Sequence, residues 1–144
     1  MNRNKVVYSE LKDQSKAQEA FNAGKLAGAM ARYGYESTPV RNDAHGADFI
    51  AYRVGNDPLL IQLKGRPTIA RKYIDKGIWM AFPSTDPDSH VMYMVPHEAL
   101  VEIWRENQPR GNAFESQSWL TGDGYSTDGQ WIYKALADYA LGAD

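Results

Sequence analysis

The sequence predicts an α/β fold in which a mixed, mostly antiparallel sheet is flanked by helices. Three observations carry this expectation. A long first segment has helical spacing, a series of short apolar runs is punctuated by turn residues, and helical patterns return after Pro96 and at the C-terminal end. At 144 residues the chain fits one domain, 1–144, with enough length to bury a core.

Residues 9–33, SELKDQSKAQEAFNAGKLAGAMARY, read as the first helix, capped by Ser9 and stopped by Gly34. Ala17, Ala20, Phe21, Gly24, Ala27, Gly28 and Ala31 fall on one side, a small-residue stripe expected to pack closely on the sheet. YGYESTPV then reads as a short strand and RNDAHG as a turn, and ADFIAYRV and PLLIQLKG form a hairpin about GNDP. PTIARKYIDKG, residues 67–77, is basic and poorly patterned, which predicts a loop with a short helical turn. IWMAFP and HVMYMV are two buried strands about the turn STDPDS. HEALVEIWREN after Pro96 is a helix, residues 108–130 a long packed loop, and WIYKALADYALG a closing amphipathic helix.

Composition narrows the function classes. Four Trp and nine Tyr with 43% hydrophobic residues are those of a folded protein, and the absence of cysteine removes disulfides, thiolate metal sites and cysteine nucleophiles. No apolar run approaches the ~20 residues of a membrane span. The N-terminal MNRNKVVYSELK lacks the apolar stretch of a signal peptide, so a cytoplasmic protein without membrane contact is expected. The net charge of −2 hides an asymmetry: residues 1–76 carry 13 Lys/Arg against 8 Asp/Glu, and residues 77–144 carry 3 against 10. The first half is suited to a polyanion, although two solvated surfaces of opposite sign would give the same count. There is no P-loop, no GxGxxG and no G-x-S-x-G, and DGYSTDG lacks the spacing of a calcium loop.

The chemistry concentrates in the hairpin. Alternation places Gln62 and Lys64 on one face of their strand, and folding about the turn brings the Asp48 end of the partner strand to the Lys64 end. Asp48, Gln62 and Lys64 are therefore expected to meet. Two of them also have a plainer role open to them: Lys64 as a snorkelling lysine, and Asp48 as a strand-end carboxylate satisfied by turn amides of residues 42–46. Arg66, Arg71, Lys72, Tyr73 and Lys76 follow directly, either as a phosphate-tracking, DNA-binding segment or as a solvated loop. Of the three histidines, His90 opens a strand, His97 starts a helix, and only His45 is near enough to assist.

The pattern resembles the PD-(D/E)xK nuclease superfamily, whose first-aspartate strand is similar to Gly46-Ala47-Asp48-Phe49-Ile50 and whose second motif is similar to Ile61-Gln62-Leu63-Lys64. The resemblance spans roughly residues 15–100 and implies a restriction-endonuclease-like fold with a central sheet of about four to five strands flanked by helices. It further implies a metal-dependent DNA endonuclease using Mg²⁺, with Mn²⁺ as a substitute. Asp48, Gln62 and the Leu63 carbonyl would be metal ligands, Asp48, Gln62, Lys64 and Glu19 the catalytic set, DNA the substrate and a homodimer the assembly. Gln62 departs from the pattern, where Asp or Glu is usual, and leaves the site one negative charge short. Glu19, at the edge of the apolar helix face, can supply that charge, or it can pair with Lys16 at the helix rim; Glu10 is a second choice. The alternatives are a catalytically impaired module of the same fold that binds nucleic acid or a protein partner, and a partner-binding protein using the acidic helices at 96–106 and 131–144.

Overall fold

The structure is a computed structural model that describes residues 1–5, 15–41, 46–107, 113–122 and 124–142. Glu10 and His45 lie outside the described residues, as does Ser9, the expected cap of the first helix. In order, the elements are α1 (Ser15–Ala31), β1 (Glu36–Pro39), β2 (Phe49–Tyr52), β3 (Leu59–Leu63), β4 (Thr68–Ile69), β5 (Ile78–Pro83), β6 (Met92–Pro96), α2 (His97–Asn107), α3 (Gln117–Thr121), β7 (Tyr125–Ser126), α4 (Gln130–Ala135) and β8 (Ala140–Leu141).

Six strands form one sheet in the order β1-β2-β3-β5-β6-β8, and β4 pairs with β7 in a separate ribbon. β1, β2 and β3 make an antiparallel meander, β3 and β5 run parallel, and β6 and β8 return antiparallel. A parallel pair needs a crossover of a dozen or more residues. Residues 64–77 supply it, and they are the basic stretch noted in the sequence. Here the chain makes β4 and a 3-10 turn at Arg71–Tyr73. The sheet has six strands where four to five were expected, because the tail read as helix breaks at Leu136 and its end pairs with Met92 and Tyr93 as β8.

Alternation along the strands divides the core into two layers. Ile78, Met80, Phe82 and Val95 meet α2 through Leu100, Val101 and Trp104, and α4 through Ile132. On the other face Ile61, Ala81, Met92 and Met94 meet α1 through Leu26, Ala29 and Met30. Helix α1 thus buries Asn22, Leu26, Ala29 and Met30. The small-residue stripe expected against the sheet points to water instead: Ala17, Ala20, Phe21, Gly24, Ala27, Gly28 and Ala31 are exposed. Burying a large aliphatic side chain is worth about 1.5–3 kcal/mol, so Leu26 and Met30 set the helix rotation and the alanines follow. Gly34, at φ 81°, ends α1 as expected, with the Gly34 and Tyr35 N–H groups donating to the carbonyls of Ala31 and Met30.

The loop expected over 108–130 is more ordered than its composition suggests. Residues 108–112 and 123 lie outside the described residues, and the remainder holds a 3-10 turn at Ala113–Glu115, then α3 and β7. Ser116 caps α3 by accepting from the Trp119 N–H, and Trp119 is buried against the Phe114 ring. Among the described residues no helix is long and apolar enough to cross a membrane.

Candidate active site

The hairpin pairs Phe49 with Ile61 and Ala51 with Leu59. Asp48 stands one residue before β2 and is clamped to the last turns of the β3 ladder. Its N–H donates to the Ile61 carbonyl at 2.8 Å, its carbonyl accepts from the Val40 N–H at 2.8 Å, and its Oδ2 accepts from the Leu63 N–H at 3.1 Å. The carboxylate is therefore held by a strand amide of the motif it was expected to meet. The Lys64 N–H donates to the Ala81 carbonyl at 2.9 Å, which fixes the second motif against β5.

Gly46 shows how the start of this strand is packed. It sits at φ 84°, and a Cβ there would come within 3.0 Å of the Tyr73 ring, so the crossover closes directly onto the residues leading into Asp48. Tyr73 is only 4% exposed and lies edge-on to the buried His97 ring at 5.7 Å. It is a core residue, which corrects the expectation that it contacts DNA. Its aromatic ring wins more by burial than an exposed stacking surface would.

Asp48, Gln62, Lys64 and Glu19 line one cleft of about 760 Å³, together with Leu63 and Asn22. Three elements supply the four residues: the N-terminal half of α1, the segment entering β2, and the end of β3. Glu19, exposed on α1 one turn before the buried Asn22, lines the same cleft. Among the described residues Arg105 pairs with Glu102 and the neutral His97 lies 3.9 Å from Glu98, and no Glu19–Lys16 pair is formed. Gln62 is 7% exposed, and its Oε1 is buried without a hydrogen-bond partner among the described residues. A buried oxygen left this way costs about 1–3 kcal/mol, which marks it as an acceptor awaiting a donor or a cation.

The basic residues of the crossover are not equivalent. Arg66 is exposed beside the site, but Arg71 donates from Nη1 to the Leu120 carbonyl at 3.0 Å and so ties the crossover to α3. Lys72 lies over the Tyr73 ring at 5.3 Å, and Lys76 is exposed. The Asp75 N–H donates to Glu98 Oε1 at 2.9 Å, which pins the same segment to α2. His97 is wholly buried: its Nε2 accepts from the Ala70 N–H at 3.1 Å, and burial pushes its pKa below the ordinary 6.5 against an opposing pull from Glu98. It is a neutral strut under the crossover, away from the cleft.

Sequence reasoning missed a second cleft, of about 660 Å³, that shares Gln18, Lys64 and Gly65 with the first. Beyond Lys64 it is lined by Arg66, by the hydroxyls of Ser84, Thr85 and Ser126, and by Asp128 and Tyr133. These come from the end of β5, the β4–β7 ribbon and the start of α4, which meet only in three dimensions. No local spacing could have joined them. The Tyr133 ring is packed edge-on against Phe82 and Tyr93, and its hydroxyl pKa is pushed up to about 12, chiefly by burial and then by Asp128 and Tyr93, against Arg66. It is a phenol, donor as well as acceptor, throughout the physiological range.

Comparison of the chain with protein-family models, curated proteins and solved structures finds no match. The site must be read from its own geometry.

Proposed function

We propose that this protein is a metal-dependent DNA endonuclease of the PD-(D/E)xK type, hydrolysing phosphodiester bonds in the cleft lined by Asp48, Gln62, Lys64 and Glu19. The observation that carries the reading is the convergence of these four side chains in one cleft, with a buried and unpartnered Gln62 oxygen among them. The order of helix, antiparallel hairpin with both motifs, crossover and further strand also follows the resemblance along residues 15–100.

The donor set suits a hard divalent cation. Asp48 and Glu19 offer carboxylate oxygens, and Gln62 and the Leu63 carbonyl offer neutral ones, which is the oxygen chemistry Mg²⁺ or Mn²⁺ takes. A buried orphan oxygen such as Gln62 Oε1 is stabilised by a cation as well as by a donor N–H. Among the described residues no group of three or more His, Asp or Glu is placed to hold an ion, so the site works with two carboxylates and an amide. When bound, the ion polarises the phosphoryl group and lowers the pKa of a water. Asp48, rigidly held by the β3 backbone, positions its carboxylate toward the phosphate. Lys64, fixed at the strand end, orients the attacking water or steadies the charge that builds on the phosphoryl oxygens. Glu19 restores the charge Gln62 lacks.

The test is plasmid nicking with Mg²⁺ or Mn²⁺. Asp48→Asn and Lys64→Ala are each expected to lower the nicking rate by roughly a hundredfold or more, the scale of removing one transition-state contact. A Lys64→Ala protein that nicks like wild type rules out this site. The second reading is a nuclease-fold module that binds nucleic acid or a protein without cutting. The neutral Gln62 favours it, and DNA binding without any nicking would be its signature.

A further inference from the structure

We propose that the second cleft is a nucleotide subsite: it holds one unpaired nucleotide beside the phosphate at Lys64, so the preferred substrate is DNA with a single-stranded flap or overhang. The inference rests on the nuclease reading for what is done to the strand, and on the cleft alone for what is held.

Continuity comes first. The two clefts share Lys64, Gly65 and Gln18, so a strand whose phosphate lies at Lys64 leaves the first cleft into the second. Charge changes along that path. Lys64 stands at the shared end, where a phosphate is met, and beyond it Arg66 and Asp128 carry opposite charges that both act on the Tyr133 hydroxyl. A continuing polyanion gains little net attraction from such a pair. A base edge is better matched, because bases present amino donors and ring acceptors together. Asp128 accepts only, while Tyr133 and the hydroxyls of Thr85 and Ser126 both donate and accept. A cationic mouth leading to a mixed polar end is the chemistry of a nucleotide.

Size fits one nucleotide. A cleft of about 660 Å³ lies in the ~300–1,000 Å³ range of small-ligand pockets. A paired base would enter only after unstacking, at a cost of a few kcal/mol that an unpaired base does not meet. The walls are also built to keep their shape: Thr68 Oγ1 donates to the Arg66 carbonyl at 2.9 Å and Ser84 Oγ to the Asp86 carbonyl at 3.2 Å, and the β4–β7 ribbon sets Thr68 opposite Ser126.

The experiment is fluorescence anisotropy in EDTA on the full chain, with a labelled blunt DNA duplex and the same duplex carrying a short overhang of either polarity. Wild type is expected to bind one overhang form about tenfold more tightly than the blunt form. Tyr133→Phe, which keeps the packed ring and removes one hydroxyl, is expected to reduce that preference roughly threefold to tenfold. Thr85→Trp, at an exposed position on the cleft wall, fills the space and is expected to abolish the preference for the overhang. Equal binding of all forms by wild type overturns the subsite, as does a preference that survives both variants. Nicking that depends on Lys64 without an overhang preference sinks the subsite and spares the nuclease. An overhang preference sensitive to Tyr133 and Thr85 without nicking under any metal does the reverse.

Discussion

Gln62 concentrates the tension of the proposed site in one side chain. Its position, two before Lys64 on an alternating strand, is legible in the sequence, and so is the missing charge. Its 7% exposure and orphan Oε1 are not, because they depend on α1 lying over the strand end and on β5 lying beside it. The Gln62→Glu substitution separates the two effects. Without metal it buries a carboxylate and is expected to destabilise the protein by roughly 2 kcal/mol. With millimolar Mg²⁺ or Mn²⁺ the added charge tightens ion binding, and the variant should recover its melting temperature. Thermal melts in EDTA and in metal read both. A variant as stable in EDTA as wild type, with no response to metal, would remove Gln62 from the metal site. Tyr73 gives the opposite lesson: an aromatic residue among basic ones reads as a nucleic-acid contact, yet its ring is better placed under Gly46 and beside His97.

Among the elements, strands β2, β3, β5 and β6 were readable because their apolar runs are short, β-branched or aromatic, and bounded by Gly, Pro and Asp. Helix α1 was readable as a helix but not in its rotation. Alanine and glycine count as apolar in a periodic pattern while contributing little buried area, and the two large residues Leu26 and Met30, four apart, decide which side faces the sheet. The outcome is open to a simple test. A Cβ added at Gly24 or Gly28 meets nothing within 4 Å, and both lie inside a helix, so Gly24→Ala and Gly28→Ala should each stabilise the protein by about 0.5–1 kcal/mol in urea unfolding. A loss of stability at either position would mean that something packs on that face in solution. The tail failed for another reason. WIYKALADYALG has a helical pattern throughout, but pairing with the free edge of β6 offers Ala140 and Leu141 backbone hydrogen bonds that no local propensity records.

For the molecule as a whole, the charge asymmetry between the two halves becomes a matter of placement. The parallel pairing of β3 with β5 obliges the basic crossover to run past the strand ends where the cleft opens, and Arg66, Lys72 and Lys76 are exposed along it. If these cations meet phosphates, DNA affinity falls with salt, and Lys72→Ala and Lys76→Ala should each lower the logarithmic salt slope by about 1. An unchanged slope in both variants would make the crossover a solvated loop. Arg71, spent on the Leu120 carbonyl, is expected to act through stability instead. That same parallel pairing has a consequence in time. Adjacent antiparallel strands can zip as soon as their turn forms, but β3 cannot dock on β5 until the crossover has closed, and closing it orders the second cleft through residues as late as Tyr133. A chain still emerging from the ribosome would carry Asp48, Gln62 and Lys64 before Ala81, whose carbonyl fixes Lys64 against β5, and well before Asp128 and Tyr133 of the second cleft. The order of synthesis therefore completes the first cleft from an early stretch of chain and leaves the second to wait for residues some fifty positions further on.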